Sequence, residues 1–139
     1  MLASDESRTV TFAGHQPVAL NITVGRLIMA EEKGHAVTME SGLVGQMMMD
    51  PIILAKSGWA IYEDRFTAAG IKTPEDFYEL LDDEGNKNLL NAFTNSVKSF
   101  FQWGPACVDQ MTTLVNELGE KMKASVEAEQ EKQRMTGGE

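Results

Sequence analysis

The chain has 139 residues, of which 42% are hydrophobic and 24% charged, a balance that is typical of one globular domain and excludes a largely disordered chain. Its 21 acidic residues outnumber the 12 basic ones and give a formal net charge of −9, which disfavours nucleic acids and anionic membranes as partners. The single cysteine excludes an intramolecular disulfide. Such an acidic chain suits a partner that is basic, apolar or both.

The N-terminal residues predict a flexible arm followed by a β-hairpin. Residues 1–7 are polar and acidic, without the apolar segment of a signal peptide, and we expect them to form the arm. The hairpin is expected over Arg8–Asn21. Two runs, Thr9–Phe12 and Val18–Ile22, alternate between the two faces of a strand, and Gly14–Pro17 between them has the composition of a turn.

A first helix is predicted after the hairpin, and an ambiguous segment comes next. Thr23 is a suitable N-cap for a helix over Val24–Lys33. The apolar face of this helix is expected to consist of Val24, Leu27, Ile28 and Ala30. Further along, Val37 and Met39 could form a short strand, and Leu43–Met49 could form either a loop or a short helix.

The strongest single signal is a central helix over Asp50–Gly70. Asp50 can accept hydrogen bonds from the free backbone N–H groups of the first turn, and Pro51 occupies the first helical position, where its missing N–H costs nothing. Gly70 is a typical helix end. Steps of three and four residues produce a broad apolar stripe made of Ile52, Ala55, Trp59, Tyr62 and Phe66.

Three more helices complete the predicted order. Thr73 is expected to cap a helix over Pro74–Leu81, which an acidic turn over Asp82–Asn86 follows. A second helix is expected over Lys87–Trp103, and the last helix is expected to start at Pro105. The last two helices carry apolar stripes, namely Leu89, Leu90, Phe93, Val97, Phe100 and Phe101 on one, and Val108, Met111, Leu114/Val115, Leu118, Met122 and Val126 on the other.

These elements predict a mostly α-helical α+β fold, with about five helices and a small N-terminal β-hairpin. Residues 8–126 are expected to form a single globular domain. Beyond the last apolar position the chain is polar on every side, so residues 127–139 are expected to be a polar helix end and a flexible tail.

No catalytic motif occurs in the sequence, and the residues that could bind a metal are isolated. His15 and His35 lie in or beside predicted turns, and together with Cys107 they lack the paired spacing of a zinc site, so we expect surface histidines and a half-buried structural thiol. Asp82–Asn86 resembles half of a calcium loop, but Lys87 occupies the position that requires glycine. We expect no metal, no cofactor and no enzymatic activity.

The sequence carries more apolar residues at helical spacing than a small domain needs. Methionine side chains are flexible and adapt to irregular surfaces, so the run Met47–Met49 is either core filling or a binding patch. We expect the surplus to serve a partner helix or self-association. The candidate partner-binding residues are Met47, Met48, Met49, Phe100, Phe101, Met111, Leu118 and Met122.

The order and lengths of these elements resemble the tail assembly chaperones of long-tailed, siphovirus-like bacteriophages. The resemblance spans roughly Val10 to Val126 and rests on the segments TVGRLIMAEEKG, DPIILAKSGWAIYEDRF and TPEDFYELLDD. Three stretches within these segments resemble the residue patterns of that family, namely Leu27–Gly34, Leu54–Phe66 and Thr73–Leu81.

The resemblance implies a function in virion morphogenesis. Such chaperones bind the tape measure protein, keep it soluble in the host cytoplasm until tail tube subunits polymerise around it, and are lost from the mature virion. A longer form made by frameshifting near the end of the gene contacts the tail tube protein. Two alternatives stay open: a small tail or head–tail protein that is retained in the virion, and a small acidic regulator that binds a basic partner.

Overall fold

The computed structural model describes residues 7–38 and 40–136, and gives side chains of the last helix as far as Glu131. Over these residues the fold is mostly α-helical α+β, as the sequence predicts, with six helices and one two-stranded hairpin. The elements are β1 (Thr9–Val10), β2 (Val18–Ala19), α1 (Val24–Glu32), α2 (Leu43–Met49), α3 (Pro51–Ala68), α4 (Pro74–Glu79), α5 (Asp83–Phe100) and α6 (Gly104–Thr136).

The hairpin is shorter than predicted, but its inward face is correct. β1 and β2 are antiparallel, with Val10 opposite Val18, and each strand has only two residues. Phe12, Leu20 and Ile22 continue the chain beyond the strands and are buried as well. The hairpin therefore packs its apolar side on the helical core. This packing stabilises a pair of strands that would be too short to be stable alone.

The central helix α3 contacts α1, α2, α4, α5 and β2, which confirms its predicted role. Asp50 accepts a hydrogen bond from the backbone N–H of Ile52 at 2.8 Å, so the predicted N-cap is confirmed. The Phe66 ring stacks on Phe77 of α4, with centroids 4.4 Å apart. Backbone angles at Tyr62 depart from helical values, and its hydroxyl donates to the Leu20 carbonyl at 2.9 Å.

Two predicted apolar faces are broader than the buried ones. Val24 and Ile28 are exposed, because α1 turns the side that carries Arg26, Leu27 and Ala30 towards α3. Ile52 is 64% exposed in the first turn of α3, although Trp59, two turns further along nearly the same line of the helix, is buried. A helix on the surface of a small core buries only one arc, so apolar residues at the edges of a stripe stay in water.

The acidic segment before α5 is helical, so the predicted acidic turn is wrong. α5 begins at Asp83, and the Asp82 carboxylate accepts a hydrogen bond from the backbone N–H of Gly85 at 2.8 Å. Acidic side chains in a first turn stabilise the positive end of the helix dipole, which explains why this composition starts a helix. α5 ends at Phe100, three residues before the predicted end.

Several boundaries differ from the prediction elsewhere. Leu43–Met49 forms a helix, which decides one open alternative. Val37 is buried in an irregular segment and forms no strand, while Met39 lies outside the described residues. α4 ends at Glu79. Of the predicted arm, residues 1–6 lie outside the described residues, and the Ser7 carbonyl accepts a hydrogen bond from the Asn95 amide at 2.9 Å.

The last helix is much longer than any other helix in the described part of the chain. α6 has 33 residues and is therefore about 50 Å long. Its first half packs on α2 and α5 through Val108, which is buried, and through half-buried residues as far as Leu118. Residues 119–131 are all exposed, so the packed body ends near Leu118. Thr136, predicted to be in the flexible tail, still belongs to α6, and residues 137–139 lie outside the described residues.

Candidate partner-binding surface

The three consecutive methionines of α2 point in different directions. Met47, one of the predicted partner-binding residues, is buried at 1% exposure and fills the core, so this structure does not present it to a partner. Met48 is half-buried and packs against the core, while Met49 is 51% exposed. Successive residues of a helix lie about 100° apart, so three in a row cannot share one face. Of the predicted patch, Met49 is the residue most available to a partner.

A hollow opens beside Met49, between α2 and the start of α6, and we name it the α2–α6 hollow. Its volume is about 300 Å³, and its exposed wall is almost wholly apolar. No lining residue is charged, so recognition there depends on apolar contact rather than on ion pairs. The lining residues are Thr38, Gly42, Val44, Gly45, Gln46, Met49, Trp103, Cys107 and Met111.

Gly45 sets the floor of the hollow. A Cβ atom at this position would lie 2.8 Å from Cε and 3.1 Å from Sδ of Met111, so the absence of a side chain allows α6 to approach α2 closely. The Met111 thioether therefore covers the glycine instead of extending into solvent. Gly45 and Trp103 are residues of this surface that sequence reasoning misses, because a glycine in an ambiguous segment is equally typical of a loop.

An aromatic cluster borders the hollow at the corner between α5 and α6. The rings of Phe101 and Trp103 stack with centroids 4.3 Å apart, and Phe100 meets Phe101 edge-on at 4.9 Å. Phe101 is half-buried, whereas Phe100 is exposed at the end of α5. The predicted residues Phe100, Phe101 and Met111 thus lie at or near one apolar surface that also includes Met49.

The remaining predicted residues lie further along α6. Leu118 is half-buried at the edge of the body, while Met122 and Val126 are 67% and 54% exposed. They continue the helix face that carries Val108 and Met111, because their spacing repeats every three or four residues. We name Leu118, Met122 and Val126 the distal α6 face. It is separated from the hollow, since Met122 lies about 16 Å from Met111 along the helix.

A polar cluster holds α1 on α3 and has no counterpart in the sequence predictions. The Arg26 guanidinium donates to both carboxylate oxygens of Asp64 and to the Ile61 carbonyl, and it lies 5.5 Å from the centroid of the Tyr62 ring. The hydrogen bond from Arg26 lowers the pKa of Asp64, and burial raises the pKa of Tyr62. The two terminal guanidinium nitrogens of Arg26 have these partners, while its buried Nε has none, and the cluster is a structural clasp that joins α1 to α3.

The two histidines, predicted to be surface residues, are half-buried, and each lies within hydrogen-bond distance of a residue in α3 or directly after it. His35 Nδ1 lies 2.9 Å from Ser57 Oγ, and His15 Nδ1 lies 3.3 Å from the Ala69 carbonyl oxygen. Ser57 is fully buried, so its hydroxyl has no access to a substrate despite the neighbouring imidazole. Cys107 is half-buried, as predicted. Within the described part of the chain, no three His, Cys, Asp or Glu residues cluster as metal ligands would.

Comparisons with known proteins leave the surface as the main guide to function. No protein-family model matches this chain, and no curated protein or solved structure matches it either. Among the described residues, none of the helices combines the length and the apolarity of a membrane span. Exposed apolar side chains lie at the α2–α6 hollow and on the distal α6 face, and others lie on α1 and in the first turn of α3, namely Val24, Ile28, Met29 and Ile52.

Proposed function

We propose that this protein is a non-enzymatic bacteriophage tail assembly chaperone, which binds the tape measure protein, keeps it soluble and helps to recruit tail tube subunits. The observation that carries the proposal is the α2–α6 hollow, an open apolar site of about 300 Å³ on a chain whose net charge is −9. The order of the sequence segments that resemble this chaperone family supports the same assignment. The chaperone acts in the host cytoplasm and is absent from the mature virion.

The chemistry of the hollow suits one or two large apolar side chains of a client helix. Its volume is at the lower end of ligand sites, which measure roughly 300–1,000 Å³. Met49 and Met111 can change rotamers to fit different side chains, so a single hollow can accept several positions along a repetitive client. A long helix with an apolar stripe would therefore bind several chaperone copies.

The charge of the chaperone accounts for the solubility of the complex. A long helix with an apolar stripe aggregates by itself, because the exposed stripe associates with the stripes of other copies before the assembly partner binds it. Covering the stripe with a domain of net charge −9 replaces an apolar surface by a strongly charged one. Tail tube subunits would then displace the chaperone as they polymerise around the client.

The proposal is tested by binding to segments of the tape measure protein encoded with this chain. Met49→Glu places a charge at the rim of the hollow and should weaken binding at least tenfold, as measured by isothermal titration calorimetry. Met29→Glu is the matched control, because Met29 of α1 is 57% exposed, close to the 51% of Met49, and lies outside the hollow. Wild-type protein that does not bind any segment, or equal binding by both variants, would overturn the proposal.

The two alternative functions give different results in the same system. A structural protein retained in the particle would be found in purified virions at a fixed copy number. An acidic regulator would bind a basic partner with an affinity that falls steeply with salt, whereas apolar binding in the hollow should change little between low and high salt.

A further inference from the structure

The wall of the α2–α6 hollow combines sulfur atoms with an aromatic ring. Met49, Cys107 and Met111 each contribute a side chain that carries sulfur, and Trp103 contributes its indole. None of the described lining residues is charged, so an ion pair cannot select what enters. The chemistry that distinguishes this wall from an aliphatic one is therefore that of the sulfur atoms and of the ring.

Three of these side chains form a row along the start of α6. Trp103, Cys107 and Met111 follow one another at steps of four residues, so they lie on one side of the helix and span about 12 Å. The backbone N–H of Cys107 donates to the Trp103 carbonyl at 3.0 Å, which attaches the indole to the first turn of α6. A group seated beside Cys107 therefore has the indole on one side and the Met111 thioether on the other.

The packing of Phe101 leaves part of the indole available. The Phe101 ring stacks on one face of Trp103, with centroids 4.3 Å apart and planes inclined by 25°. Trp103 is half-buried, so the part of its ring that lines the hollow belongs to the opposite face or to the edge. Both are suitable for another aromatic ring, because aromatic pairs prefer offset stacking or edge-on contact.

We propose that the α2–α6 hollow selects aromatic side chains, so that its client is anchored by an aromatic ring and not by an aliphatic chain. The identity of the client rests on the proposed function, whereas the preference for a ring follows from the wall itself. A cavity of about 150 Å³ suffices for a benzene ring, so a hollow of about 300 Å³ has room for one ring and for movement of the methionines around it.

Burial of apolar area alone would not produce this preference. Burying an aliphatic or an aromatic side chain is favourable in proportion to the area removed from water, whatever the wall is made of. An aromatic ring in the hollow additionally contacts the thioethers of Met49 and Met111 and the indole of Trp103. Contacts of these kinds each contribute a factor of roughly two to ten in affinity. An aliphatic side chain of equal size lacks this advantage.

The preference is tested first without any client, by titrating the full chain with benzyl alcohol and with cyclohexylmethanol. The two probes have nearly the same shape, and the non-aromatic probe is the more apolar one. Isotope-labelled methionine methyl groups report binding by nuclear magnetic resonance, since an aromatic ring shifts the resonance of a methyl group that lies above its face. The affinity of cyclohexylmethanol is measured by its competition with benzyl alcohol.

We expect benzyl alcohol to shift the methyl resonances of Met49 and Met111 until they saturate. Met29 and Met122 are internal controls, because they are 57% and 67% exposed, slightly more than Met49 at 51%, and lie outside the hollow. Their resonances should change little. Cyclohexylmethanol should bind about threefold or more weakly than benzyl alcohol, since it lacks the contacts of a ring with sulfur and indole.

A client segment tests the same preference on a helix. In a tape measure segment that binds the wild-type chain, each aromatic residue of the apolar stripe is replaced in turn by cyclohexylalanine, which keeps the size and apolarity and removes the π system. At one position we expect binding to weaken about fivefold or more. Met49→Leu keeps the apolar volume but loses the sulfur, so the difference between the two segments should shrink. Met29→Leu is the matched control and should retain the full difference.

Three results would overturn the inference. One is benzyl alcohol that does not shift Met49 and Met111 more than Met29 and Met122, and another is cyclohexylmethanol that binds as tightly as benzyl alcohol. The third is a client segment that binds without an aromatic residue in its stripe or is insensitive to every cyclohexylalanine. Failure of the proposed function gives a different result, in which no tape measure segment binds while benzyl alcohol still saturates the hollow.

Discussion

Removal of the Tyr62 hydroxyl gives a sharp test of how the hairpin is attached to the central helix. The side chain is fully buried, and its hydroxyl donates to the Leu20 carbonyl at 2.9 Å. Tyr62→Phe keeps the ring and its edge-on contacts with Phe66 and Phe93, whose centroids lie 6.3 Å and 6.5 Å away. The substitution therefore removes one buried hydrogen bond and little else.

The expected cost depends on the burial of both partners. A typical hydrogen bond contributes about 1 kcal/mol, and a buried acceptor left without its donor adds to the loss, so we expect Tyr62→Phe to lower the free energy of unfolding by about 1–3 kcal/mol. For a domain of this size each kcal/mol lowers Tm by roughly 3–5 °C. Urea denaturation should show a lower midpoint with an unchanged slope.

Tyr78→Phe provides the matched control for this experiment. It is the same chemical change at the other tyrosine of the chain, whose side chain is exposed on α4. Water already solvates an exposed hydroxyl, so the change in the free energy of unfolding should stay within about 0.5 kcal/mol. Equal midpoints for the two variants would refute the assignment of the Tyr62 hydrogen bond as the link between hairpin and helix.

Further predictions concern the glycines and the polar clasp. Gly104→Ala should destabilise the fold by several kcal/mol or prevent folding, because its Cβ would lie 2.2 Å from the Val97 carbonyl oxygen, as thermal denaturation will show. Gly119→Ala should instead stabilise the chain by up to about 1 kcal/mol, since the same atom meets nothing within 4 Å and alanine favours helix. Gly45→Ala should weaken client binding by moving Met111, which calorimetry can measure, and normal affinity would contradict the role of this close approach. Asp64→Asn should cost less than about 1 kcal/mol, because this carboxylate is largely exposed. The lowered pKa of Asp64 gives stability that is present above its unfolded-state pKa and is lost as pH falls through the folded-state value, so the wild type and Asp64→Asn should converge in acid.

Helix starts are the most predictable features of this chain. Asp50, Thr23 and Thr73 each accept a hydrogen bond from a backbone N–H of the first turn, as their positions predict. Capping depends on residues a few positions apart, so it can be inferred from sequence. The start of α5 escapes prediction because an acidic run suits both a turn and a helix N-terminus, and the packing of the later residues decides between them.

The orientation of short helices cannot be inferred in the same way. The burial of Met47 and the exposure of Met49 depend on how α2 rotates against its neighbours, and Gly45 contributes to that rotation through its contact with Met111. The salt bridge between Arg26 and Asp64 joins residues that are 38 positions apart, and no local pattern signals it. Arg26 lies on the side of α1 that carries Leu27 and Ala30, which pack on the body, so Ile28 on another side faces water.

The apolar stripe of α6 can be predicted from the sequence, but which part of it packs on the body and which part is exposed cannot. Met111 and Leu118 share the periodicity of Met122, yet the first two contact the body and the third does not. The difference arises because α6 is much longer than the 18-residue helix α5 on which it packs. Periodicity identifies a face, whereas the extent of the neighbouring elements decides which part of that face remains available.

The most direct measurement is co-expression of this chain with a complete tape measure protein, the client that the proposed function assigns to it. We expect the wild-type chain and Met29→Glu to keep the tape measure protein in the soluble fraction and to co-purify with it, and Met49→Glu to leave it in the pellet. A tape measure protein that is equally soluble with and without the chain, or equally insoluble in both cases, would contradict the chaperone function.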